Sequence, residues 1–500
     1  MADFQKHHPV LRQMARRTLL GSAAAGVLAK GLGGRGAKAA IGGEDEIAHW
    51  TPDYVTGIAG TTEVDTAAEC AKIVPLKTKG KLTFWYVGPT HASPPLDKIM
   101  YDQFWESFGK TYPNITVEQV SLDYNSILDK LRTAALGNAA PSVARLMLLW
   151  SPELAAKEML HELRPEDVGH KTADFWPGAM KSVTWDGKVY GVPTNNETMA
   201  LIWNAQIFRD GGLDPEQPPA TWDDLVSYAR QIKRKTGKAG YGLVARANAG
   251  NTPYRFMPHA WAYGGGALDE AEEHPQYKTI TINNEGTKAA LQACYDMYVR
   301  DESAPRSALT NTQTENQDPF IAGQLGMMIS HPSEYAVMLD KAKRATGEDR
   351  KIADAVVENM RYGLIPKGPV RRAVVFGGWN FHIFNPNIVG GGLDLDAAMA
   401  LAAFMTGPEW SVKLAWTGSN PGNRRGFRTS WMKERLEQIK FLNVTTSMLA
   451  GGVPFPAIPQ SGEIENIIVP NMMQNALTKR MSVAAACDGA AAKVRDLLSA

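Results

Sequence analysis

Five hundred residues carrying 53 basic and 52 acidic side chains, a formal net charge of +1, generate no global field for holding nucleic acid or an acidic membrane, so nucleic-acid binding is disfavoured. A chain of this length exceeds one ordinary hydrophobic core, and two large lobes are the default expectation. Cys70, Cys294 and Cys487 lie far apart with no C-x-x-C pair, which argues against a zinc site or a disulfide framework and leaves one bridge plus a free thiol open.

The N-terminus reads as an export signal. Lys6, Arg12 and the Arg16-Arg17 pair precede an uncharged run over residues 18–29, and Ala37-Lys38-Ala39 supplies an A-x-A exit. The run is roughly a dozen residues, short of the ~20 that span a bilayer, so cleavage near residue 39 rather than anchoring is expected. ARRTLLG has the paired arginines and following leucines of a twin-arginine signal, with Ala15 where Ser or Thr is commoner. Gly31, Gly33 and Gly36 spell G-x-G-x-x-G, but the pattern follows no strand and opens no helix, so it belongs to the signal segment and not to a dinucleotide site.

Residues 40–80 form a locally acidic extension with a helical stretch over 66–74 that stops before Pro75. KLTFWYVG from Lys81 is the first strand, and Leu96, Ile99, Met100, Phe104 and Phe108 then recur at helical spacing. Residues 115–120 make the next strand, 126–136 a helix, 143–150 an apolar strand-like run and 152–160 another helix. This β-α-β opening signals a parallel sheet covered by helices. Residues 186–204, DGKVYGVPTNNETMALIWN, read as a β-turn at Asp186-Gly187, a strand ending at Pro193, a polar loop and an apolar strand ending on Asn204. Thr221 is placed to cap a helix starting at Trp222, with Asp223 and Asp224 in its first turn. Further on, VVFGGWNFHIF contains Gly377-Gly378, a point of close backbone approach directly before Trp379-Asn380.

Several of these pieces, in order and separation, resemble the bacterial extracellular solute-binding proteins of the sugar-binding type that serve ABC importers. YPNITVEQV, DYNSILDKL and AAPSVARLMLLW resemble the opening of that family, with Ser142 where an Asp is usual. The stretch from DFWPGAMKSVTWDGKVYGVP through IWNAQIFRDGGLDPEQPPATWDDLVSYARQIK continues the match, as do PFIAGQLGMMIS and LDAAMALAAFMTGPEWSVKLAWTGSNPG. The resemblance implies an α/β fold of the type II periplasmic-binding-protein kind, two α/β lobes joined by hinge segments with a ligand cleft between them. It places residues 81–198 and 378–430 in lobe 1 and residues 199–377 and 431–500 in lobe 2, with residues 186–204 as the first crossing and VVFGGWNFHIF as the second. The implied partners are a carbohydrate or polyol ligand and the membrane permease of an ABC transporter, with the protein periplasmic, monomeric and free of cofactor or metal.

A sugar cleft needs flat rings for the C–H faces of pyranoses, together with carboxylates, amides and guanidinium groups for paired hydroxyls. On that chemistry and the family's positions, the candidates are Glu197 with Asn195 and Asn196 at the first crossing, Trp379 and Asn380 at the second, and Tyr254 in the second lobe. Tyr86, His91, Tyr124 and Trp150 fall at or near C-terminal strand ends of the first lobe, where open α/β sheets bind ligands. Glu465, with its neighbour Asn466, falls where maltose-binding relatives carry rings, which argues against a long maltodextrin. Arg425 is a candidate for gripping an acidic sugar. Each has a plainer reading: Trp379 and Tyr254 as packing, Arg424-Arg425 as solvated surface.

Enzyme motifs are missing: there is no H-E-x-x-H, G-x-S-x-G or Walker A sequence, and His161-Glu162 lacks a second histidine. The expectation is a binding protein and not an enzyme. The alternative is a secreted carbohydrate-active hydrolase or lyase using Glu197 and Glu465 as a carboxylate pair.

Overall fold

The computed structural model describes residues 50–88, 95–123, 126–269, 279–331 and 333–499. The export-signal segment, His91 and Tyr124 therefore lie outside the described residues.

The strands in chain order are β1 (Gly80–Tyr86), β2 (Ile115–Ser121), β3 (Val143–Met147), β4 (Thr184–Trp185), β5 (Lys188–Val189), β6 (Val192–Glu197), β7 (Ala200–Asn204), β8 (Ala239–Tyr241), β9 (Leu325–Ser330), β10 (Met360–Gly363), β11 (Val374–Val375), β12 (Gly377–Ile383), β13 (Asn420–Pro421) and β14 (Gly452–Val453). They build two main sheets. The first has the order β13-β6-β12-β3-β1-β2, and the second β10-β7-β9-β8. In the first sheet β1 runs parallel to β2 and β3, whereas β12 is antiparallel to both β3 and β6. Helices cover the faces, as the near-continuous apolar runs of β3 and β7 require: every residue of both strands is buried.

Only Thr198 and Met199 separate β6 in the first sheet from β7 in the second. Directly before β12, β11 pairs in parallel with β14, and the Phe376 amide donates to the Val453 carbonyl at 2.9 Å. The Thr198 hydroxyl donates to the Thr445 carbonyl at 2.6 Å, so the segments that pass between the sheets are bonded at one place. The apolar cluster around Trp50, Trp176, Trp416 and Phe427 continues through Met432, Leu442 and Ala450, so residues 432–450 pack there before the chain reaches β14.

Local signals explain several elements. Asp186 (φ 47°) and Gly187 (φ 73°) both adopt positive φ between the paired strands β4 and β5, the geometry of a tight primed hairpin turn. The helix Trp222–Thr236 is capped by Thr221, with Asp224 returning a bond to the Thr221 amide, and it stops at Gly237 with φ 73°. At the second crossing, Gly378 has φ 134°, and a Cβ there would lie 2.2 Å from the Asn195 carbonyl oxygen, so this position requires glycine.

In the extension the helix expected over residues 66–74 is present as Thr66–Ala71, and a helix that was not expected, Pro52–Ile58, precedes it. Thr51 caps the helix Pro52–Ile58 with proline at its first turn, and Asp65 caps Thr66–Ala71. Trp50 packs against Trp176 at 4.8 Å and Phe427 at 5.5 Å, so the segment is fixed by apolar contact to the body of the first-sheet lobe. Cys70, Cys294 and Cys487 are each buried and unbridged. No helix among the described residues is long and apolar enough to cross a membrane.

Candidate functional site

A cavity of about 1240 Å³ lies between the two sheets, large compared with ordinary small-molecule sites. Met147 and Trp150 reach it from the C-terminal end of β3, Glu197 from the end of β6 and Trp379 from β12. The opposing wall comes from the start of the helix Asn251–Ala262, with Tyr254 and Arg255, and from Asn466 in the turn Ile464–Ile468. This is the switch-point position of an open α/β sheet, where parallel strands give way to antiparallel neighbours.

Glu197 is held by two hydrogen bonds to one carboxylate oxygen. The indole N–H of Trp379 donates to its Oε1 at 3.2 Å, and the Ser419 hydroxyl donates to the same oxygen at 3.1 Å. Desolvation raises its carboxyl above the ordinary range, and the Ser419 hydroxyl, the Arg145 charge and the Trp379 N–H pull it partly back. Trp379 in turn stands edge-on to Trp150, with centroids 6.5 Å apart, and lies under the Arg145 guanidinium at 5.1 Å. Tyr254 packs on Phe455 at 5.2 Å, and a Cβ on Gly377 would sit 3.3 Å from its ring, so the glycine admits the ring to the crossing. Glu197, Trp379, Tyr254 and Trp150 are thus brought together on one cavity.

The other candidates among the described residues, Asn466 apart, are not. Asn195 and Asn196 were expected in a polar loop, yet they are fully interior to β6, hydrogen-bonded between β12 and β13. Asn195 accepts from Arg145 at 2.5 Å, so it holds the arginine that lies over Trp379. Asn196 and Asn380 are buried and do not line the cavity; Asn380 donates to Ser151 and Ser182, each at 3.2 Å, inside the sheet lobe. Strand alternation explains the split: Trp379 and Asn380 are adjacent on β12 and point to opposite faces. Tyr86 stacks on Tyr101 at 5.5 Å and is directed into lobe packing, away from the cavity. Arg425 pairs with Glu69 at 2.5 Å and fastens the extension. Glu465 is 1% exposed and does not line the cavity, whereas Asn466 does. The carboxylate pair of the hydrolase alternative is therefore not assembled there.

Sequence reasoning passed over other cavity groups. Arg132 makes a two-pronged bond to Glu153 (2.8 and 2.7 Å), and Lys157 donates to Glu153 at 2.7 Å. Arg246, Asn251, Arg255 and Gln313 form the wall opposite. Asn251 before Thr252-Pro253 was a readable helix start, but only the fold shows that this end faces a cleft.

Comparison with known proteins places this architecture. The chain is similar in structure to the GacH receptor of Streptomyces glaucescens GLA.O, solved unliganded and with acarbose, at TM-score 0.68 and 24% identity, covering 85% of this chain and 99% of that one. In sequence it is 22% identical over 408 residues to a binding protein of Brucella abortus (strain 2308), covering 80% of this chain and 89% of the relative. A shorter match, 46% identical over 109 residues, is to the sn-glycerol-3-phosphate-binding periplasmic protein of Shigella dysenteriae serotype 1 (strain Sd197), covering 20% of this chain and 25% of that protein. The fold is that of the two-lobed, maltose-binding-protein-like periplasmic binding proteins. With residues 90–412 matching the family model, the chain belongs to the bacterial extracellular solute-binding protein family.

Proposed function

We propose that this protein captures a sugar, oligosaccharide or related polyol in the cavity between its lobes and delivers it to the permease of an ABC transporter, without chemical turnover. The observation that carries this reading is the combination of Trp150, Trp379 and Glu197 from one lobe with Tyr254 from the other on a single cavity. Flat rings suit pyranose faces, and a held carboxylate suits paired hydroxyls. The names of the relatives support the ligand class: one solved neighbour was crystallised with acarbose and another with α-D-tagatose. In this reading the protein is exported to the periplasm by its N-terminal signal and acts as a monomer. The two lobes, each built on one of the main sheets, rotate about the crossing segments, and closure presents both to the permease.

A thermal-shift screen against sugars, sugar acids and polyols tests capture, since a ligand at 100 times its dissociation constant stabilises by ~2.7 kcal/mol. Incubation with oligosaccharides tests turnover, and released product would overturn the binding reading. Solution scattering with and without ligand tests closure, for which compaction is expected.

A further inference from the structure

Among the described residues, Arg132, Lys157, Arg246 and Arg255 bring cationic groups to the cavity, and they are not equivalent. On the first-sheet side, Arg132 and Lys157 are both bonded to Glu153, and Arg132 also to Asp129 at 2.7 Å, so two acids neutralise two bases. Across the cavity, Arg246 and Arg255 have no carboxylate within ion-pair distance among the described residues. Arg255 is 5% exposed, and its Nε has no hydrogen-bond partner. Its Nη2 bonds to the neutral Gln313 amide, and Nη1 reaches the Asn251 carbonyl at 3.5 Å.

Nearby carboxylates do not pair with these arginines: Glu463 lines the same cavity but is exposed and makes no ion pair with either. Glu334 is taken up by the Ser330 hydroxyl at 2.6 Å and the Gln317 amide at 3.0 Å, and Glu197 by Ser419 and Trp379. Glu315, whose carboxyl feels the Arg246 charge, caps its own helix through Thr312. Burial lowers the Arg255 guanidinium to about 10, which still leaves it charged at neutral pH.

The backbone adds to the same pole. The helix Asn251–Ala262 begins at the cavity with Gly250 at its cap, no side-chain cap bond and no acidic residue in its first turn. No carboxylate therefore offsets the positive end of its dipole beside the two arginines, and the side-chain oxygen lying against Gly250 is that of the neutral Asn466 amide. The Thr252 hydroxyl ties the Arg246 carbonyl to this helix start at 2.7 Å, so Arg246, Arg255 and the helix end are one local unit. A buried charge without an ionic partner is costly unless something else supplies one.

We propose that this pole holds an anionic group of the ligand, a carboxylate or a phosphate, so that the captured molecule is an acidic sugar or a phosphorylated polyol. The inference rests on the capture reading above and names its ligand class. Arg246, Arg255 and the helix end grip the anion, and Trp150 and Trp379 face the uncharged remainder.

The test is calorimetry on matched pairs: digalacturonate against galactobiose, and glycerol 3-phosphate against glycerol. In at least one pair the anionic member binds about tenfold or more tighter than its neutral partner, weakening as sodium chloride is raised. The pair that shows the preference separates carboxylate from phosphate. Arg246→Gln, at an exposed side chain that folding does not depend on, and Arg255→Gln both reduce the preference. A neutral member that binds as tightly as the anion, or a preference unchanged in Arg246→Gln, overturns the anionic assignment. So does binding by none of the four when a neutral sugar stabilises the protein in the screen, and this outcome leaves capture standing. No stabilisation by any compound in the screen overturns both readings.

Discussion

Trp379 and Glu197 are 182 residues apart in sequence, yet the indole N–H of one donates to the carboxylate of the other at 3.2 Å. They meet because β12 lies against β6, with Gly377 opposite Glu197 in the register. The bond fixes the ring and the carboxylate together, so each is presented to the cavity in one orientation. Trp379→Phe keeps a ring but removes the donor that pulls the Glu197 carboxyl down, so that carboxyl rises further above its ordinary range. Carbon-detected NMR titration of Glu197 checks the direction; a fall would contradict it.

Gly378→Ala is expected to destabilise the protein by about 2 kcal/mol or more, because a side chain is strained at φ 134° and meets the Asn195 carbonyl. Urea unfolding measures the loss. Gly187→Ala, which also has positive φ but nothing within 4 Å of a Cβ, costs less.

His259 stacks on Trp222 at 4.1 Å, and burial pushes its imidazole from 6.5 down to about 3. The unfolded chain therefore takes up this proton near pH 6.5 while the folded chain resists it. Stability from this group is complete above pH 6.5 and is lost as pH falls through 6.5 toward 3. His259→Phe keeps the stack and is expected to flatten the pH dependence in that window by about 1.4 kcal/mol per pH unit. An unchanged slope in urea midpoints between pH 6 and 4, taken across roughly two units of that window, would contradict the assignment.

Trp50, 4% exposed, and Arg425, about a third exposed, both attach the extension to the body of the protein. Their contributions differ in kind. Trp50→Ala removes a large ring from a packed cluster and is expected to cost about 3–5 kcal/mol. Arg425→Ala breaks a solvent-screened ion pair and costs about 0–1 kcal/mol. Thermal melts of the two variants order them, and the reverse order would show that charge, not packing, holds the segment.

Where local chemistry decides the structure, the sequence was readable. Thr221 with Asp224, the Asp186-Gly187 turn and the glycine at 378 each need a particular residue for a particular backbone geometry, and each was found where the pattern put it. The polar run at Asn195-Asn196 misled because asparagine disfavours strands in isolation, while pairing on both edges of β6 overrides that preference. Glu465 and Asn466 were one residue apart in a π-helical turn, and which of them faces the cavity depends on a phase that periodicity does not supply. Arg246 and Arg255 escaped notice because a cation is distinctive only once its neighbours are known to leave it unpaired, and those neighbours come from distant parts of the chain.

The most direct test of ligand capture between Trp379, Glu197 and Tyr254 is titration calorimetry of the best compound from the thermal-shift screen against the native protein and Trp379→Ala. The site geometry predicts about tenfold or greater loss of affinity, with the unfolding transition still cooperative, because the ring is a central aromatic contact of the cavity. Affinity equal to that of the native protein would show that the ligand binds elsewhere.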